Sequence, residues 1–174
     1  MTRQDPSVET KTEAELRQLS VRYAAAVDSG DCDEFAELFA EDGSLTVHRA
    51  DDGHTLEGRD ELRRIPALLA RYERTFHFLG QHRYWEGCDG RVHGEVLCTA
   101  NHLSGGINTV MYIRYLDDYD EAVDGRWRIS SRGVQVQWTK STESQMTRAV
   151  GSAKCQVAPQ AANPPSTAIS APVT

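Results

Sequence analysis

The chain has 174 residues, 39% hydrophobic and 26% charged, and its 19 Lys and Arg stand against 26 Asp and Glu. That length suits one ordinary domain, and the composition is that of a globular chain rather than a disordered one. A formal charge of −7 argues against nucleic acid as a partner, because phosphate binding needs clustered cations. No apolar run approaches the ~20 residues that span a bilayer, so no membrane partner is expected. Met1-Thr2-Arg3-Gln4-Asp5-Pro6 contains no apolar stretch, so no secretory signal is expected and the expected setting is cytoplasmic.

Residues 1–11 are polar and read as a flexible N-terminus. Thr12 and Glu15 have capping-box spacing, Leu16, Leu19, Tyr23 and Val27 recur at helical intervals, and Gly30 suits the stop. A second short helix, capped by Asp31 or Asp33, buries Phe35, Leu38 and Phe39. Asp42-Gly43 turns the chain into a strand over 44–49, and Asp51-Asp52-Gly53 is a hairpin signal returning it through 54–57. A third helix opens at Gly58-Arg59-Asp60-Glu61, with Leu62, Ile65, Leu68 and Leu69 inward and Pro66 kinking or dividing it.

Strands follow at 75–86, 91–103, 107–119 and 126–138, the first two joined by Gly87-Cys88-Asp89-Gly90 and the last two by a loop ending Asp124-Gly125. The pattern predicts an α+β domain over 12–139, with three N-terminal helices packed on one face of a strongly curved antiparallel sheet. Residues 140–174 are rich in Ser, Thr, Ala and Pro and read as a disordered tail. The tail's net charge of +2 leaves the body nearer −9.

Cys32, Cys88, Cys98 and Cys155 form no CxxC pair and read as reduced, structural thiols. His82, Cys88, His93, Cys98 and His102 lie close in sequence. They fall on two predicted strands whose side chains alternate faces, so no metal site is expected.

Three segments, taken together, resemble the SnoaL-like proteins of the nuclear transport factor 2-like superfamily. They are the helix from Leu19 to Asp31 with its continuation to Gly43, the strand Thr75-Phe76-His77-Phe78-Leu79-Gly80, and the closing hairpin from Tyr115 through Asp124-Gly125-Arg126-Trp127 to Arg132. The resemblance spans about residues 12–138. It implies a cone-shaped α+β barrel around a deep apolar pocket, in a superfamily that includes scytalone dehydratase, a dehydrochlorinase, ketosteroid isomerase, polyketide cyclases and non-enzymatic members.

In the dehydratase and dehydrochlorinase branches an aspartate at the end of the first helix orients a histidine on the first long strand. Asp28 and His77 match those positions. A carboxylate that accepts one imidazole N–H fixes the tautomer and leaves the other nitrogen free to take a proton. Tyr23 matches a pocket tyrosine, although five residues turn a helix by about 140° from a shared face; it either packs or hydrogen-bonds substrate. Arg132 matches an arginine that closes the pocket in the dehydrochlorinase branch. Strict alternation from Trp127 and Ile129 would turn it outward, so an inward Arg132 requires a β-bulge near Ser130-Ser131. The dehydrochlorinase has a lysine where this chain has Tyr23. The second histidine and tyrosine of scytalone dehydratase have only unmatched candidates here, in His48, His102 and Tyr112.

Asn101 is expected at the pocket mouth, with Met111 and Ile113 as apolar walls, and His54, His82 and His93 at the surface or in turns. The resulting expectation is a cofactor-independent lyase of dehydratase type, with His77 as base, acting on a hydrophobic small molecule. The alternatives are an isomerase or polyketide cyclase using the same dyad, or a non-catalytic ligand-binding module. The uncovered sheet face, with Tyr112, Tyr115 and Trp138, points to a homodimer or homotrimer.

Overall fold

The computed structural model describes residues 8–48 and 53–144. Helix α1 (Thr10–Ser29) is followed by α2 (Cys32–Glu37), the hairpin β1 (Phe39–His48) and β2 (Gly53–Glu57), and two short helices, α3 (Gly58–Leu62) and α4 (Ile65–Leu69). Four long strands complete the domain: β3 (Arg74–Glu86), β4 (Val92–Ser104), β5 (Ile107–Glu121) and β6 (Trp127–Glu143). They form one curved, unclosed sheet in the order β2-β1-β6-β5-β4-β3. Among the described residues no helix is long and apolar enough to cross a membrane.

Helix α1 starts two residues before the expected Thr12 cap. Its N-cap is Glu9, without a side-chain capping bond, and the Glu13 N–H reaches the Glu9 carbonyl at 2.9 Å. Val8 packs against the core, which extends the apolar stripe by a turn. At the other end Gly30 adopts φ +76°, and the Asp31 N–H returns to the Ala26 carbonyl at 2.9 Å, closing the helix. Asp31 then caps α2 by accepting from the Glu34 N–H at 3.0 Å.

Pro66 divides the third expected helix, and the break at Arg63-Arg64 shifts its phase. Pro66 is therefore buried, whereas Leu68, expected inward, is 60% exposed. The sheet departs from a pure antiparallel meander, since β1 runs parallel to β6. Strand β6 also passes the expected domain end at 139, pairing Glu143 with Ile107. Thr and Ser in this stretch are compatible with a strand, and composition misassigned them to the tail. The residues from 145 onward lie outside the described residues, as do 1–7 of the expected flexible N-terminus and most of the Asp51-Asp52-Gly53 turn.

The inner face of the sheet is built in rows that cross the strands. His77, Ala100 and Met111 share one row; Leu79, Cys98, Ile113 and Val136 the next. His82, Val96, Tyr115 and Val134 form a third, and Tyr84, Gly94, Asp117 and Arg132 a fourth. Helices α1 and α2 close over these rows with Leu16, Leu19, Tyr23, Val27 and Phe35. Extra residues at Gly80-Gln81 in β3 and at Ser130 and Gln137 in β6 disturb the ladders and add curvature.

Candidate functional site

Asp28 lies in the last turn of α1, where the partial negative charge of the helix end disfavours a carboxylate. Two donors from one residue compensate. The His77 backbone N–H reaches Asp28 Oδ2 at 2.8 Å, and His77 Nδ1 lies 2.7 Å from Oδ1. The backbone donor is free because β3 is the sheet's edge strand, with alternate N–H groups lacking a neighbouring strand. Burial tends to raise the Asp28 pKa, but the side-chain and backbone hydrogen bonds from His77 outweigh it and hold the carboxyl below its ordinary value. An ionised Asp28 can only accept, so Nδ1 carries the proton and Nε2 presents its lone pair. The His77 side chain is 6% exposed and that of Asp28 25%: the pair is fixed, yet close to the surface.

Beside it sits His102, 5% exposed, its ring edge-on to His77 at 5.7 Å and tilted against Tyr72 at 4.7 Å. Burial, followed by the adjacent charge of His77, pushes its pKa down to about 4, so it is neutral at ordinary pH. Its buried Nδ1 has no partner among the described residues. Motif matching did not single out His102, and Tyr72 was missed altogether. Strand alternation carries the signal for His102: it opposes Thr75 one inward step from the Ala100–His77 pair.

The same alternation corrects Asn101. It pairs with Phe76 on the outer face, where Asn101 Nδ2 donates to the Phe76 carbonyl at 3.4 Å and Asn101 Oδ1 accepts from Asn108 at 2.9 Å. Asn101 therefore faces away from His77. Met111 shares the His77 row, and Ile113 lies in the next, 6% exposed.

Arg132 is inward, through the bulge its position required: Ser131 opposes Asp118 and Ile129 opposes Tyr119, leaving Ser130 over. Its guanidinium is completely buried and bidentate to Asp117, with Nε to Oδ1 at 2.8 Å and Nη2 to Oδ2 at 2.7 Å. Tyr119 donates its hydroxyl to the same carboxylate at 2.7 Å. The Arg132 guanidinium carbon lies 4.1 Å from the Tyr23 ring and 4.5 Å from the Tyr115 ring, and the two rings meet edge-on beside it with centroids 5.6 Å apart. Tyr23 also packs on Phe35 and Phe39, and burial raises its pKa despite the nearby Arg132 charge. Six residues of β4 separate the His77 and Arg132 rows, about 20 Å along the strand. No hydrogen bond links Arg132 to Asp28 or His77.

Several other expected positions also move. Tyr115, expected on the uncovered face, is 2% exposed and inward, whereas Tyr112 and Trp138 stack on the outer face at 4.5 Å. His82, expected at the surface, turns inward after the Gly80-Gln81 bulge, with Nδ1 3.0 Å from the Gly80 carbonyl. His93 lies on the outer face against Asp118, with Nδ1 2.6 Å from Oδ1, and His54 is exposed. Among the described residues no three His, Cys, Asp or Glu side chains gather as metal ligands.

Solved structures of similar fold come from several chemistries. A hexachlorocyclohexane dehydrochlorinase, LinA-type3 of Novosphingobium barchaimii, is 16% identical over 76% of this chain and 90% of its own, with a TM-score of 0.66. A Novosphingobium aromaticivorans protein proposed to be a scytalone dehydratase is 18% identical over 83% and 96%, with a TM-score of 0.65. Rv3472 of Mycobacterium tuberculosis, a protein of unknown function, is 23% identical over 73% and 72%, with a TM-score of 0.64. At these identities the likeness is one of fold. No curated protein matches the sequence. The sequence profile of the SnoaL-like domain matches residues 8–133, and the chain belongs to that family.

Proposed function

We propose that this protein is a cofactor-independent lyase that eliminates water from a hydrophobic small molecule, with His77 as the general base. The observation that carries the reading is the two-point grip of Asp28 on His77, which commits Nδ1 to the carboxylate and leaves Nε2 as the basic nitrogen. In this proposal Nε2 takes a proton from a carbon next to an activating carbonyl. The electron pair forms the new double bond, and the β C–O bond breaks. The departing oxygen recovers the same proton from the imidazolium and leaves as water, so the histidine returns to its starting state. Asp28 stabilises the imidazolium in between and keeps the ring oriented.

His102 supports this role in two ways. It is neutral, so it does not repel the transient His77 charge, and its unpartnered Nδ1 is a buried polar atom that a substrate group would complete. Met111 and Ile113 supply apolar contact next to the pair. Tyr23 and Arg132 act in the proposal as the rigid inner wall of the cone, their polar groups already engaged with each other and with Asp117. The dehydratase and dehydrochlorinase named among the similar structures support elimination as the reaction class.

A panel of hydrophobic β-hydroxy carbonyl compounds, with analogues lacking the hydroxyl, tests the proposal. Elimination by the wild-type protein and its loss in His77→Gln are expected. Turnover only of the analogues without a leaving group would replace elimination by isomerisation or ring closure. Binding without turnover, indifferent to His77→Gln, would make the cone a receptor.

A further inference from the structure

At the end of the cone away from His77, Gly94 stands between Tyr84 and Asp117 in the row that ends at Arg132. A Cβ on Gly94 would come within 2.8 Å of the Tyr119 ring and 2.9 Å of the Tyr84 ring, so these two phenols meet over the glycine, their centroids 6.0 Å apart. Four buried side-chain atoms around this row have no hydrogen-bond partner among the described residues: Ser20 Oγ on α1, His82 Nε2 and the Tyr84 hydroxyl on β3, and Arg132 Nη1 on β6. The rings of His82 and Tyr84 are 6.2 Å apart. Burial pushes the Tyr84 phenol up to about 12. The Ser20 hydroxyl is near enough to oppose that rise, yet the two hydroxyls are not in hydrogen-bond geometry. The charges of Asp117 and Arg132 reach both His82 and Tyr84, and Ser20 lies beside Tyr84.

Four dry, unpaired polar groups in one place would be unusual for a native interior, where buried donors and acceptors are almost always satisfied. We propose that Ser20, His82, Tyr84 and Arg132 bind ordered internal water at this end of the cone. The polarity of the four atoms selects water over an anion. A carbonyl only accepts, so His82 Nδ1 must carry the proton directed at Gly80. Burial holds His82 below its ordinary pKa, so the ring is neutral and Nε2 offers a lone pair. Arg132 Nη1 can only donate, and the two hydroxyls can do either. Water, which typically makes about three hydrogen bonds when buried, donates to His82 and accepts from Arg132 at once. An anion would meet the His82 lone pair and a guanidinium already neutralised by Asp117.

A crystal structure of the full chain, at a resolution that shows ordered water, tests this directly, with a parallel bromide soak read by anomalous scattering. Water density within hydrogen-bond distance of both Arg132 Nη1 and His82 Nε2, with no bromide peak there, is the expected result. In Ser20→Ala/Tyr84→Phe that density should weaken or vanish while the rest of the fold stays in place. A dry site in which the four side chains bond directly to one another would overturn the proposal. So would a bromide peak, or water density unchanged in the double variant.

Discussion

The two ends of this cone treat a hydrogen-bonded pair of acid and base side chains differently. At the open end Asp28 and His77 share one proton between α1 and the edge strand β3, with Nε2 uncommitted and the carboxylate a quarter exposed. At the closed end Arg132 and Asp117 lie on neighbouring strands with no side-chain exposure, and the rings of Tyr23 and Tyr115 pack against the guanidinium. Both pairs are short and well oriented. Only the first keeps an uncommitted ring nitrogen, and that pair lies near the surface. A short, well-oriented acid–base pair in this fold is therefore a poor marker of chemistry by itself; an uncommitted nitrogen beside it is the better one.

Breaking each pair should separate these roles. His77→Gln is expected to lower elimination about 10²–10⁴-fold, the usual contribution of a positioned general base, with an unchanged circular dichroism spectrum and melting temperature. Arg132→Met should leave Asp117 as an uncompensated buried charge and cost about 3–5 kcal/mol of folding stability in a denaturant titration. Arg132→Met combined with Asp117→Leu should recover most of that loss. A Gly94→Ala substitution at the closed end forces Tyr84 and Tyr119 apart, and overpacking of this kind costs about 1–3 kcal/mol; it should leave the His77 tautomer untouched.

The smallest effect is a pH dependence at the open end. His102 is held from its ordinary 6.5 to about 4 in the folded chain, so between these values the unfolded chain binds a proton that the folded chain refuses. Stability associated with His102 is complete above pH 6.5 and declines as pH falls toward about 4. Thermal melts over that window should show a shallower decline in His102→Gln than in the wild type. An equal slope would remove His102 from the list of groups held neutral by burial.

Local features were readable from the sequence where one residue decides them. Gly30 stops α1, Asp31 caps α2, and the bulge at Ser130 follows from requiring both Ile129 and Arg132 inward. The Asp28–His77 contact joins residues 49 positions apart, and no local pattern announces it; the family resemblance pointed to it. The parallel pairing of β1 with β6 is equally non-local and was not anticipated. Asn101 lies on the outer face and its neighbour His102 on the inner one because side chains alternate along β4, and a one-residue difference in parity reverses every side chain. His82 came inward for a related reason, since the Gly80-Gln81 bulge resets the alternation. Tyr72 sits in the connection before β3, where neither helical nor strand periodicity applies.

The proposed chemistry requires Asp28 to hold the His77 ring in the tautomer with Nδ1 protonated and Nε2 bare. Nitrogen-15 NMR of the imidazole groups, with His77 assigned through His77→Gln, measures this directly in the wild type and in Asp28→Asn. A single Nδ1–H tautomer in the wild type, lost or mixed in Asp28→Asn, is the expected result. A ring protonated on Nε2, or one that ignores the substitution, would contradict it.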